Sequence, residues 1–114
     1  MKGQQELILH NKKVNMKSGS IIILNLQDPR EKIIGKLLGI SPSGITIKGV
    51  DVNSFNDWMK QFTHKQATTI ISPTTVFFPM HRVVSCYLDE NMGDVPSFSS
   101  QFKGRTKREI TKVL

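Results

Sequence analysis

Three histidines, one cysteine, one pair of adjacent carboxylates and a basic run near the C-terminus are the residues of this sequence with chemistry to offer. His10, His64 and His81 lie far apart and have no Cys or carboxylate cluster beside them, so the ligand spacing of a metal site is absent and no metal is expected. Cys86 is the only cysteine, so it cannot close an internal disulfide, and its apolar surroundings (Val83, Val84, Leu88) make it a small buried hydrophobe. Asp89 and Glu90 are neighbours at the end of an apolar run. Paired acid and base chemistry needs two carboxylates in different environments, so these two are expected to solvate a strand end. No Gly-x-Ser-x-Gly elbow and no phosphate-cradling glycine loop occurs. The expectation is a chain that is no enzyme and has neither cofactor nor small-molecule substrate.

The basic residues are the chemistry that remains. The net charge of +7 is divided unevenly along the chain. Residues 1–19 hold four Lys against one Glu, residues 20–94 hold seven cations against seven carboxylates, and residues 95–114 hold five cations against one Glu. The centre is neutral and both ends are basic, so a polyanionic partner meets the ends first. Lys103, Arg105, Lys107 and Arg108 form the densest group. Clustered Lys and Arg bind phosphates by counterion release without reading sequence, and the same cluster equally suits a solvated tail.

The elements that must carry these groups read as mainly β. The run Ile21-Ile22-Ile23-Leu24-Asn25-Leu26 is a short β-branched strand that ends at the Asp28-Pro29 turn. Lys32–Ile40 follows as a strand whose Gly35 and Gly39 point to a bulge or tight bend. Ser41-Pro42-Ser43-Gly44 is a turn, and Ile45-Thr46-Ile47-Lys48 alternates apolar and polar residues, completing a meander. The period then changes. Phe55, Trp58, Met59 and Phe62 fall at helical spacing behind Ser54, an N-cap for the Asp57 amide, which predicts a short inserted helix over about residues 55–63 that packs on the body and covers an open end. Two more strands meet at Pro79, which cannot donate to a ladder and so requires a tight turn or an edge. Residues 4–13 suit either a helix or a strand, and Ile110, Val113 and Leu114 allow a terminal helical turn.

The chain is short enough for one core, which gives a basic N-terminal segment (1–19), a β domain (20–92) and a basic, mobile C-terminal tail (93–114). No run approaches the roughly 20 apolar residues of a membrane span and the start lacks the apolar stretch of a signal peptide, so no membrane partner and a cytoplasmic location are expected.

A meander, an insertion and a strand pair joined by a tight turn are the layout of small SH3-like and Sm-like barrels. The stretch Gly35-Lys36-Leu37-Leu38-Gly39-Ile40-Ser41-Pro42-Ser43-Gly44-Ile45-Thr46-Ile47 resembles the first motif of the Sm-like family, closest to its bacterial RNA-chaperone branch, Hfq. Phe78-Pro79-Met80-His81-Arg82-Val83-Val84-Ser85 is similar to the second motif, in which an aromatic, a lysine and a histidine precede an apolar strand. The resemblance implies a five-stranded barrel, a ring of identical subunits joined edge to edge, and RNA held by stacked bases and basic side chains. His81 matches the motif histidine, while Met80 stands at the lysine position, Ser43 at the base-stacking position and Ser41 at the acidic position. The expected function is a homo-oligomeric, weakly RNA-binding protein that uses His81, Arg82 and the basic ends. The alternative is a protein-interaction or assembly module with no nucleic-acid role, docking a partner through strand edges.

Overall fold

The structure, a computed structural model, describes residues 16–64 and 70–114; the ambiguous segment 4–13 lies outside them. The described chain is mainly β, with a five-stranded antiparallel sheet and two short helices. Strands β1 (Ile21–Leu26), β2 (Glu31–Ser41) and β3 (Gly44–Asp51) form the meander, and a 3-10 turn (Val52–Ser54) leads into helix α1 (Phe55–Lys60). Strands β4 (Thr74–Pro79) and β5 (Val83–Leu88) are joined by a 3-10 turn (Met80–Arg82), and helix α2 (Phe98–Thr106) precedes a last 3-10 turn (Ile110–Lys112). Among the described residues no helix is long and apolar enough to cross a membrane.

The strand order is β4-β3-β2-β1-β5, so the two strands with the shortest link between them occupy opposite edges. In a flat sheet four strand spacings would separate those edges by about 19 Å. The three residues between Pro79 and Val83 span at most about 14 Å even when fully extended. The sheet therefore curls. Met80 N–H donates to the Ser43 carbonyl at 2.9 Å and Gln27 N–H to the Arg82 carbonyl at 2.8 Å, so the link is a strap from the β2–β3 turn to the end of β1. Among the described residues no ladder joins β4 to β5, and the sheet is not closed into a barrel.

Strand β2 takes much of the bend. Gly35 lies opposite Gly49, and a Cβ on Gly35 would stand 2.5 Å from the Lys48 carbonyl oxygen, one on Gly49 2.2 Å from that of Ile34. Only hydrogen at these two positions lets the backbones approach so closely. The register with β3 slips between Leu37 and Gly39, the expected bulge, which adds twist to the ladder.

Both faces of the curled sheet are buried over much of its three central strands. The inner face gathers Ile22, Leu24, Leu26, Ile33, Leu37, Ile45, Ile47 and Phe78. The outer face presents Ile23, Ile34 and Val50 to Phe55, Trp58 and Met59 of α1, to Phe102 of α2, and to Ile110 and Leu114. Adjacent residues such as Ile22 and Ile23 thus enter different layers, which explains an unbroken apolar run where a half-solvated strand would alternate. Helix α1 covers this outer face together with α2 and does not sit over an open end. Ser54 occupies its N-cap position without a side-chain cap bond, because the preceding 3-10 turn runs straight into the helix. That turn is capped instead by Asp51, whose carboxylate accepts the Asn53 amide at 2.8 Å.

The C-terminal segment, expected as a mobile tail, is part of the core. Phe102 is fully buried and stacks on Trp58 at 4.9 Å between ring centroids, while Phe98 meets Phe55 edge-on at 4.8 Å. The Asp89 carboxylate accepts the Phe98 and Ser99 amides, each at 2.8 Å, and Ser97 Oγ accepts the Ser100 amide at 3.0 Å, so the first turn of α2 is satisfied from the end of β5. At the far end Lys36 Nζ donates to the main-chain oxygens of Thr111 and Leu114, both at 3.0 Å. Removing the central ring tests this arrangement. Phe102→Ala is expected to lower stability by about 3–5 kcal/mol in urea unfolding. An unchanged midpoint would return residues 93–114 to the status of a tail.

Candidate nucleic-acid interface

The six cations expected to touch RNA fall in two places. His81 and Arg82 lie on the strap, and Lys103, Arg105, Lys107 and Arg108 lie on α2 and the residues after it.

On the strap His81 is exposed, and its main-chain oxygen accepts Gln27 Nε2 at 2.9 Å. Arg82 is occupied. Its Nε donates to the Gln27 carbonyl at 3.0 Å, one Nη donates to the Pro29 carbonyl at 2.8 Å and to Glu31 Oε2 at 2.7 Å, and the guanidinium lies 5.4 Å from the Phe78 ring centroid. With 17% of its side chain exposed, Arg82 braces the β1–β2 turn against the strap and has little surface left for a phosphate. The planar fork suits this task because three acceptors in fixed directions need several rigid donors, which an ammonium on a flexible stem does not supply.

The second group is open. Lys103, Lys107, Arg108, Glu109, Lys112 and Val113 line a surface groove of about 590 Å³ between α2 and the last 3-10 turn. Helix α2 stops at Lys107, which takes the left-handed conformation (φ 64°) and folds its Nζ back to the Gly104 carbonyl at 3.0 Å. Lys103 pairs with Glu109; that hydrogen bond and the charge of Lys103 hold the Glu109 carboxyl below its ordinary value. The Arg108 guanidinium lies 5.4 Å from the ring centroid of Phe62, which is itself fixed edge-on against Trp58 and Phe102. Arg105 is exposed on the same helix. Lys112 and Phe62 were missed as members of this group. The first lies beyond the dense run, and the second comes from the inserted helix turn, a contact no sequence spacing announces.

Two other cavities lie near one end of the sheet. One, of about 290 Å³, has an apolar floor (Ile33, Ile47, Val76, Phe78) and carries Glu31 and Asp51; the other, of about 620 Å³, sets Arg30 and Lys32 beside the same two carboxylates. Carboxylates at both cavities oppose a phosphate chain, so the groove beside α2 is the better match to a polyanion. Among the described residues no three His, Cys, Asp or Glu side chains converge to hold a metal ion. Burial pushes the Cys86 thiol up from its ordinary value, and the sulfur lies 3.6 Å from Met16 Sδ, a setting for an unreactive thiol.

No protein-family model, no curated protein and no solved structure matches the chain.

The brace at Arg82 is directly testable. Arg82→Ala leaves three acceptors unserved and is expected to lower stability by about 2–3 kcal/mol in urea unfolding, with Arg82→Lys recovering only a small part. Full recovery by lysine would show that charge alone, without the fork, holds the turn.

Proposed function

We propose that this chain is a non-catalytic assembly protein of Sm-like architecture, a homo-oligomer joined through the edges of β4 and β5, with RNA as a weakly held partner. The observation that carries the reading is the strap. It draws the two outermost strands toward one another at one end, yet no ladder joins them among the described residues, so each keeps an unpaired edge. Such an edge is a template for another strand. An edge of β4 on one copy and of β5 on the next satisfies both, and repetition of that head-to-tail contact closes a ring when the rotation allows it.

Exposed apolar side chains on those strands favour a protein occupant over solvent: Phe77 on β4 is 51% exposed and Val84 on β5 is 62% exposed. The close backbone approach at Gly35 and the bulge before Gly39 support the Sm-like part of the reading, since both glycines belong to the stretch that resembles the first Sm motif. The basic groove supports the RNA part, in place of the braced Arg82.

Light scattering on the purified chain at micromolar concentration is expected to give a defined multiple of the 12.9 kDa mass. Phe77→Lys together with Val84→Lys should convert it to a folded monomer, because lysine blunts a free edge. A monomeric wild-type chain across that range would sink the assembly reading. Filter binding of RNA at two salt concentrations should weaken steeply with salt. A defined oligomer with no RNA affinity would leave a protein-interaction module and remove the nucleic-acid role.

A further inference from the structure

We infer that the groove between α2 and the last 3-10 turn is a single-strand binding site in which a base stacks on the guanidinium plane of Arg108 while Lys107 and Lys112 take the flanking phosphates. This rests on the RNA part of the reading above and names the site, the strand form and the anchor.

A cluster of cations at the C-terminal end of a helix has a plain explanation. The helix end carries roughly half a negative charge, and basic side chains there stabilise it. Lys107 does this with one of its three N–H donors, bonding the Gly104 carbonyl and keeping two for a phosphate, while Lys103 is neutralised by Glu109. Arg108 and Lys112 are left over, because neither forms an ion pair among the described residues and both are exposed, the charge of Lys112 reaching Glu109 only at longer range. The groove therefore keeps positive charge after the helix end and Glu109 are served.

Arg108 supplies what distinguishes a nucleic acid from an acidic peptide. An exposed arginine ordinarily samples many rotamers, and ordering it on binding costs entropy. Here the guanidinium is laid against Phe62, a ring held edge-on by Trp58 and Phe102. The ring restrains the guanidinium from one side while Arg108 stays exposed to solvent, which leaves the group within reach of a flat partner. Bases stack on guanidinium planes as they do on aromatic rings, and carboxylate side chains do not. The flanking lysines carry no plane and read no base, which suits phosphates. Single-stranded nucleic acid offers phosphates and unstacked bases together, whereas a duplex hides its base faces. Helix α2 packs on the outer face of the sheet and contributes to neither free edge, so assembly through β4 and β5 leaves one groove open on each copy.

The test is fluorescence anisotropy with labelled oligouridylate and the full chain, at two salt concentrations. Lys107→Ala with Lys112→Ala should weaken binding about tenfold and lower the slope of log affinity against log salt by about 1.4. Arg108→Lys keeps the charge and loses the plane; it should weaken binding about tenfold and leave the salt slope unchanged. Both changes are at exposed positions, and unchanged circular dichroism confirms the fold. An Arg108→Lys protein that binds like the wild type would overturn the stacking anchor. Full binding by the double lysine variant would show that RNA sits elsewhere and leave the broader RNA reading intact. Competition by polyglutamate at the same charge concentration as by unlabelled oligouridylate would overturn the nucleic-acid class. A wild-type chain that binds no oligouridylate would remove the RNA reading itself.

Discussion

The three-residue strap Met80–Arg82 is the constraint from which the rest of the molecule follows. It joins the two strands that pairing places farthest apart, and a link that short forbids a flat sheet. Curling has to be absorbed somewhere, and β2 absorbs it where side chains are absent, at Gly35 against Gly49, and at the bulge before Gly39. The strap is itself held down by two main-chain hydrogen bonds and by Arg82, whose three acceptors all lie in or beside the β1–β2 turn. Arginine at this position thus belongs to the mechanics of the curl, and its charge is already used by Glu31.

A curled sheet of this size fills its inner face with its own side chains, but its convex face needs cover. Alternation alone would have made that face polar. Instead Ile23, Ile34 and Val50 point outward, and the chain supplies α1 and α2 to bury them. Five aromatic rings, Phe55, Trp58, Phe62, Phe98 and Phe102, interlock the two helices, each favourable pair adding about 0.5–1.5 kcal/mol beyond the area it buries. Neither helix is long enough to be stable alone in water, so each exists because the other and the sheet are present. Residues on the two sides of the disordered-looking Gly-Pro-Ser stretch are in this sense one unit, and Asp89 joins them by holding the first amides of α2.

Most of the strand pattern was legible because it is local. β-branched runs, turn residues and the change of period at Phe55 specify elements within a few neighbours, and all five strands and α1 occur where those signals stand. The C-terminal segment was misread because its signal is not local. Phe98 and Phe102 are only two apolar residues among serines and cations, and their weight comes from a slot built by Phe55, Trp58 and Phe62, some forty residues away in sequence. Asp89 was read as a solvating carboxylate for the same reason, since a cap is recognisable only when the helix it serves is known to fold back. The site followed the same rule. The basic run named Lys103, Lys107 and Arg108, whereas Lys112 and the Phe62 ring under Arg108 required the fold, and only the fold separates the occupied Arg82 from the open cations.

Burial of both faces over the central strands also determines where charge can go. A cation on either face must reach an acceptor or the rim, and Lys36, at the centre of the outer face, does so by bonding two main-chain oxygens of the last turn. Cations that need water are displaced to the margins of the covering layer, and one such margin is the end of α2, where the helix stops and the chain turns back to the sheet. There the helix end tolerates positive charge and a partly buried aromatic side gives an arginine something to lie on. The groove's composition is thus a consequence of covering a convex apolar face with a short aromatic helix. What the fold does not require is the surplus, because stability of α2 is served by Lys107 and by the Lys103–Glu109 pair alone. Arg108 and Lys112 exceed that need, and the groove keeps their charge beside the Phe62 ring.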